Sequence, residues 1–227
     1  MNGLSWFAGL FMNLNLLAGV SAQTVESSAQ TVIQQATERL YAAIQHDCET
    51  RTLHPENLFP LVDAILLPHA DFQRMSRLVM GKHWKRLSDS QRQQFMQEFK
   101  ALLIRTYATA IHSVSPEDIR YLPERNSGAP ERNSGAPDKT VVRTEVRPEG
   151  MAAIPVHYNM YRKNGRWLVY DVRIEGISLI TNYRSTFSAG IKATGVAGLI
   201  AMLKQKNRQH MGAATTDDGH TAVVSRC

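Results

Sequence analysis

The chain has 227 residues, of which 43% are apolar, and a formal net charge of +6. That length suits one domain, alone or with a helical annex, and the apolar share excludes bulk disorder. The two cysteines, Cys48 and Cys227, are too few for a disulfide framework or a cysteine metal site.

The first 22 residues, MNGLSWFAGLFMNLNLLAGVSA, contain no Lys, Arg, Asp or Glu. Their apolar run ends at Val20-Ser21-Ala22, a small-x-small pattern. The segment reads as a secretory signal peptide cleaved after Ala22. No basic residue precedes the run, and Asn13 and Asn15 interrupt it, so a buried or amphipathic N-terminal helix is the alternative. The uninterrupted stretch is shorter than the roughly 20 residues of a membrane anchor. No other segment reads as a span, and the mature chain from Gln23 is expected to be soluble and exported. Export would permit a disulfide, but no pairing of Cys48 or Cys227 follows from the sequence.

Val32, Ile33, Ala36, Leu40 and Ile44 then recur at helical spacing, and His54-Pro55 breaks the pattern. LFPLVDAILLP is short and apolar and closes at Pro68. HADFQRMSRLVMG follows, with Gly81 placed to end a helix. Arg74, Arg77, Lys82, Lys85 and Arg86 gather here. In an exported chain such a cluster would face lipid surfaces or proteins, or form a solvated face. Ser88 and Gln91 fit a capping box that opens the longest helix. Phe95, Phe99, Leu102, Leu103, Tyr107 and Ile111 make a stripe wide enough to lie across a sheet or a cavity.

After Ser115-Pro116 the period changes from about 3.6 to 2. DIRYLPE, KTVVRTEVRPEG, MAAIPVHYNMYRKNG and RWLVYDVRIEG read as four strands of a meander. Asn164-Gly165 and Glu149-Gly150 are the hairpin turns. Strict alternation puts Ile154, Val156, Tyr158 and Met160 on one face of the third strand. It puts Leu168, Tyr170, Val172 and Ile174 on one face of the fourth. From Ser178 the pattern is helical again, in two pieces separated near Gly190. Helices, then an antiparallel sheet, then helices indicate an α+β fold.

Between the first two strands the heptad ERNSGAP occurs twice in tandem, at 124–130 and 131–137. It is polar and rich in turn formers, so it reads as a dispensable expansion of a hairpin loop. A two-copy recognition motif is the alternative. The tail from Ala213 to Cys227 reads as disordered.

Catalytic and metal patterns fail on spacing. Asp171 and Glu175 sit four residues apart on a predicted strand, which separates them by about 13 Å. A glycosidase pair needs roughly 5–9.5 Å. Arg173 lies between them, and the three charges are expected to fasten the strand end to its neighbours. HExxH, CxxC and phosphate-loop spacings are missing from the chain. His69, His83, His112 and His157 are isolated, and His157 falls on the strand face opposite Val156 and Tyr158. No enzyme signature emerges.

HWKRLSDSQRQQFMQEFKALLIRTYA, GRWLVYDVRIEGISLITNYRSTF and GVAGLIAMLK resemble the MlaC family of periplasmic phospholipid-binding proteins, also called toluene-tolerance or ABC-transporter auxiliary proteins. The similarity runs from about Val32 to Asn207. Its densest part is Trp167, Tyr170-Asp171-Val172, Ile174-Glu175-Gly176-Ile177-Ser178, Asn182-Tyr183-Arg184 and Phe187. The resemblance implies an NTF2-like twisted antiparallel sheet of about four strands, an added helical subdomain and an apolar cavity for acyl chains.

It also implies a periplasmic carrier that shuttles lipid between an outer-membrane lipoprotein–porin complex and the MCE-domain subunit of an inner-membrane ABC transporter. No catalysis, cofactor or nucleic acid enters this picture, and a monomer is expected. The expected division is signal peptide 1–22, lipid-binding domain 23–212 and tail 213–227. Within the domain, the helical part covers about 27–115, the sheet about 117–176 and the last helices about 178–210.

Lining candidates follow from the apolar faces. Met75, Val79, Phe99, Leu103 and Tyr107 come from helices. Val146, Ile154, Val156, Tyr158, Tyr170 and Val172 come from the sheet. Leu179 and Tyr183 would close one end. The competing readings are a small-molecule isomerase or dehydratase on the same cone, and a lipid-free periplasmic adaptor.

Overall fold

The computed structural model describes residues 28–50, 58–123 and 139–213. The expected signal peptide, the ERNSGAP repeat, Cys227 and the tail beyond Ala213 lie outside the described residues.

Among the described residues five α-helices and five strands run in the expected order, one short strand more than the four read from the sequence. Helix α1 spans Ala29–Thr50. Its apolar positions Ile33, Ala36, Leu40 and Ile44 are all buried. The apolar segment with two prolines forms α2, Leu58–Leu61, which runs on as a π turn over Val62–Leu66 and a 3-10 turn over Leu67–His69. Helix α3 is Phe72–Met80, capped by the Asp71 side chain, which accepts from the Arg74 N–H. A 3-10 turn, Gly81–Arg86, leads to α4, Asp89–His112. The predicted capping box is present: Ser88 Oγ accepts from Gln91 N–H at 3.2 Å, and Gln91 Oε1 accepts from Ser88 N–H at 3.0 Å.

The strands are β1 Ile119–Tyr121, β2 Lys139–Val146, β3 Ile154–Lys163, β4 Arg166–Ile174 and the short β5 Ile177–Ser178. They pair antiparallel in sequence order, a plain meander. Asn164 and Gly165 both take positive φ, 50° and 75°, as a two-residue type I′ hairpin requires.

Helix α5 spans Leu179–Ala213 with one break. The break falls at Gly195 (φ 72°, ψ 179°), not near Gly190 as the sequence suggested. Gly190 serves the break in another way. A Cβ there would meet Leu199 Cδ1 at 3.4 Å, so its bareness lets the second piece approach the first. By length and composition Leu179–Gln209 could cross a membrane, contrary to the expectation that no later segment could. Its apolar residues Ile180, Phe187, Leu199 and Leu203 are instead buried against α3 and α4.

Three apolar clusters hold the described residues together. The largest joins α3, α4 and α5 around Phe95, Phe99 and Phe187, whose ring centroids lie 5.6–5.7 Å apart. Burying each such ring contributes about 1.5–3 kcal/mol. The second joins α1, α2 and the far end of α4 through Leu40, Ile44, Leu58, Ile104 and Ala108. The third lays Ala29 and Ile33 of α1 over Val142, Met160 and Val169 of the sheet. The wide stripe on α4 is thus explained by two neighbours on two sides.

Candidate functional site

Register decides which strand residues share a face, since opposed residues point the same way. Val142 opposes Tyr158, Thr144 opposes Val156, and Val146 opposes Ile154. Across the next ladder Tyr158 opposes Val172 and Val156 opposes Ile174. Val146, Ile154, Val156, Tyr158 and Val172 therefore form one apolar face, which we call the inner face. Helix α1 crosses it. Tyr41 and Thr37 of α1 approach the inner-face tyrosines Tyr158 and Tyr121.

Burial along this face is graded. Val142, Thr144 and Met160 are buried, but Val146, Ile154, Val156, Tyr158, Val172 and Ile174 keep part of their surface accessible. Tyr158 shows what kind of surface this is. Its ring is only half-buried by accessible area. Yet burial is the largest influence on its phenol, with Tyr121 adding to it, and together they push the pKa up to about 12. The phenol is thus packed among protein groups while part of the side chain stays accessible. Tyr41 is raised in the same way, by burial first and then by Tyr158, Asp118 and Tyr121.

The sequence-chosen helical residues divide. Met75, Val79 and Phe99 are between 1% and 6% exposed and lie inside the three-helix cluster, so packing consumes their surface. Leu103 and Tyr183 are partly buried against that cluster. Tyr183 stands edge-on to Phe99, with ring centroids 5.3 Å apart. Its hydroxyl also pairs with that of Tyr107, and burial first, then this neighbour, pushes the Tyr107 phenol to about 12. Leu179 is half-buried at the start of α5.

Tyr170 is displaced from the inner face, a correction to the alternation read from sequence. Asn159 opposes Asp171 while Met160 opposes Val169, so Tyr170 is the extra residue of a β-bulge. The bulge reverses the alternation: Val169 joins the inner face and Leu168 leaves it. The Tyr170 ring turns to the outer face, where it meets Tyr161 edge-on at 5.8 Å, and the Arg74 guanidinium lies over both rings.

The carboxylates of the fourth strand have separate structural roles. Asp171 is 7% exposed. It accepts from Asn159 Nδ2 (3.2 Å), Ser178 Oγ (2.8 Å) and the Ile180 N–H (3.2 Å), which ties β4 to the start of α5. Glu175 is exposed and lies past the strand end, in a turn where it and Gly176 have φ of 52° and 81°. Among the described residues Arg173 forms no ion pair with either acid. The fastening expected of three charges is done by Asp171 and neutral donors.

On the outer face Arg143, His157 and Arg173 form a row across three strands. Burial, then the charges of Arg143 and Arg173, hold the His157 pKa below its usual value. Asp71 opens α3 beside this face. Burial opposes its ionisation, but the Tyr161 hydroxyl, the Arg74 N–H and the Lys163 charge outweigh that, and its carboxyl sits below the usual range. Among the described residues no cluster of three or more His, Cys, Asp or Glu could hold a metal ion.

The family model described as MlaC protein matches residues 34–205. The chain belongs to the MlaC family. It is 25% identical over 207 residues to the intermembrane phospholipid transport system binding protein MlaC of Haemophilus influenzae, covering 90% of this chain and 94% of that protein. It is also 25% identical to the toluene tolerance protein ttg2D of Pseudomonas putida, covering 80% of this chain and 82% of the relative. A solved phospholipid-binding protein from Ralstonia solanacearum, determined in complex with a phospholipid, superposes with a TM-score of 0.70 at 32% identity, covering 82% of this chain and 99% of that one. The α+β fold is that of this phospholipid-binding neighbour.

Sequence reasoning missed Tyr41 and Tyr121, which border the inner face of this MlaC-family chain. Tyr41 was legible as one step off the α1 stripe, beside Leu40. Tyr121 lies on a three-residue strand, too short for alternation to mark its face.

Proposed function

We propose that this MlaC-family protein is a phospholipid carrier whose inner sheet face receives acyl chains. The observation that carries the reading is the partly accessible apolar surface of Val146, Ile154, Val156, Tyr158 and Val172. The phospholipid complex of the Ralstonia relative and the transport role named for the Haemophilus relative support it.

Each CH₂ moved from water to such a surface contributes about 0.8 kcal/mol. A lipid with two long chains therefore needs this cover to cross an aqueous space. The head group gains nothing by leaving water, so the site needs few polar side chains.

In this reading the carrier works in the periplasm as a monomer, exported by the N-terminal signal. It exchanges lipid between an outer-membrane lipoprotein–porin complex and the MCE-domain subunit of an inner-membrane ABC transporter, and so maintains outer-membrane lipid asymmetry. Bound phospholipid is its only ligand. It uses no cofactor, binds no nucleic acid and performs no chemical step.

Denaturing mass spectrometry of lipid extracted from the purified protein tests the proposal. Phospholipid at close to one molecule per chain is expected. A reproducibly lipid-free protein would favour an adaptor, and turnover of a small molecule would favour an enzyme.

A further inference from the structure

The outer face carries a second feature that lipid carriage does not use. Helix α3 and the β3–β4 hairpin border an open recess of about 240 Å³. It is lined by Arg74, Arg77 and Lys163, by Gln73 and Asp71, and by Tyr161 and Trp84. Tyr161 and Lys163 have the outer-face parity of β3, opposite to Tyr158 and Val156. The recess is thus separated from the inner face by the sheet itself. It also lies toward the hairpin end of β3, whereas Ile154 and Val156 lie toward the other end.

Three cations face one carboxylate, and that carboxylate is already engaged. Asp71 Oδ1 accepts the Arg74 N–H at 2.9 Å. Asp71 Oδ2 accepts the Tyr161 hydroxyl and lies 3.7 Å from Lys163 Nζ. The Arg74 guanidinium carbon lies 4.0 Å from the Tyr161 ring centroid and 4.5 Å from that of Tyr170, two rings inclined 75° to each other. Contact with two rings restrains an arginine while leaving N–H groups able to donate. Among the described residues neither Arg74 nor Arg77 forms an ion pair with a carboxylate. Arg77 follows Arg74 by three residues, so the two side chains leave the same side of α3.

We propose that this recess is a phosphate-binding site, with Arg74 as the pre-set fork and Arg77, Lys163 and Gln73 as further donors. A planar guanidinium held between two rings, beside two further cations, suits the tetrahedral oxygens of a phosphate. The exposed cations Lys82, Lys85 and Arg86 continue the positive surface beyond it. The phosphate can belong to an anionic lipid head group in a bilayer or be free in solution.

Two arms distinguish those sources. In the first, the full mature chain is titrated with inorganic phosphate, against chloride at equal ionic strength, and the Gln73, Arg74 and Lys163 NMR signals are followed. In the second, it is sedimented with vesicles of phosphatidylcholine with and without phosphatidylglycerol. Saturable shifts in the first arm, or phosphatidylglycerol-dependent sedimentation in the second, support the site and name its source. Either must weaken at least about tenfold in Arg77→Gln with Lys163→Gln, both exposed positions that leave the Arg74 stack in place. Lys192→Gln with Lys204→Gln, both on exposed α5 surface, controls for net charge. The proposal is overturned if phosphate shifts these signals no more than chloride and vesicle binding is unchanged in the recess double variant. It is equally overturned if the α5 double variant weakens binding as much, or if only an acidic peptide competes for the recess.

Discussion

Ser178 Oγ donates a 2.8 Å hydrogen bond to Asp171 Oδ2 and accepts from the Thr181 N–H at 3.1 Å. One hydroxyl thereby caps α5 and binds that cap to the fourth strand. Asp171 receives two further donors, Asn159 Nδ2 and the Ile180 N–H, so truncation strands three donors in a buried place. Asp171→Ala is expected to lower stability by about 2–4 kcal/mol. Asp171→Asn, which keeps two acceptor lone pairs, should lose less. Urea midpoints at a constant m-value measure both. Equal losses would mean that the charge and the second carboxylate oxygen, and not shape or a single acceptor, are what the site supplies.

Stability and lipid content should come apart between two apolar residues. Phe99 is 1% exposed and touches Phe72, Phe95, Tyr183 and Phe187. Phe99→Ala should cost about 3–5 kcal/mol through the cavity it leaves, while the folded fraction keeps its phospholipid. Val156 is half-buried on the inner face, so Val156→Arg should leave the melting temperature within a few degrees and abolish copurified lipid. Retained lipid in Val156→Arg would move the site away from this face.

Much of this was legible in the sequence because the periods were clean. The strand meander, the capping box and the burial of the α1 stripe follow from spacing and turn chemistry alone. Tyr170 was not legible, because a bulge inserts one residue without any local signal and reverses the faces of the residues on its other side, here Leu168 and Val169. Met75 and Val79 have the same periodicity whether the facing partner is a helix or a ligand, so spacing could not separate core from lining. The break at Gly195 competed with Gly190, and only the backbone of Gly195, at φ 72° and ψ 179°, decides it. The recess around Arg74 depends on residues about 90 positions apart, such as Asp71 and Tyr161, a pairing that no local pattern encodes.

Gly195 provides a backbone test. At φ 72° a side chain is strained even though its Cβ would meet nothing within 4 Å. Gly195→Ala should destabilise by about 1–2 kcal/mol. Gly190→Ala has ordinary φ and one 3.4 Å contact, with the flexible tip of Leu199, so its loss should be smaller. Thermal unfolding of the two variants side by side reads the difference. The reverse order would place the hinge at Gly190.

His157 supplies a pH test with a defined sign. Burial, then the charges of Arg143 and Arg173, lower its folded pKa below 6.5. The unfolded chain therefore binds the proton more readily. Between the unfolded value and the lower folded one, unfolding takes up a proton, so stability falls as pH falls through that window and is fully present above it. His157→Gln should flatten this part of the stability–pH profile. Arg173→Gln should raise the His157 pKa toward its ordinary value, read from the imidazole Cε1 proton shift, while Arg166→Gln, outside the row, should leave it in place. A His157 that titrates at or above 6.5 in the folded protein would mean that solvent screens the row of charges more completely than its packing implies.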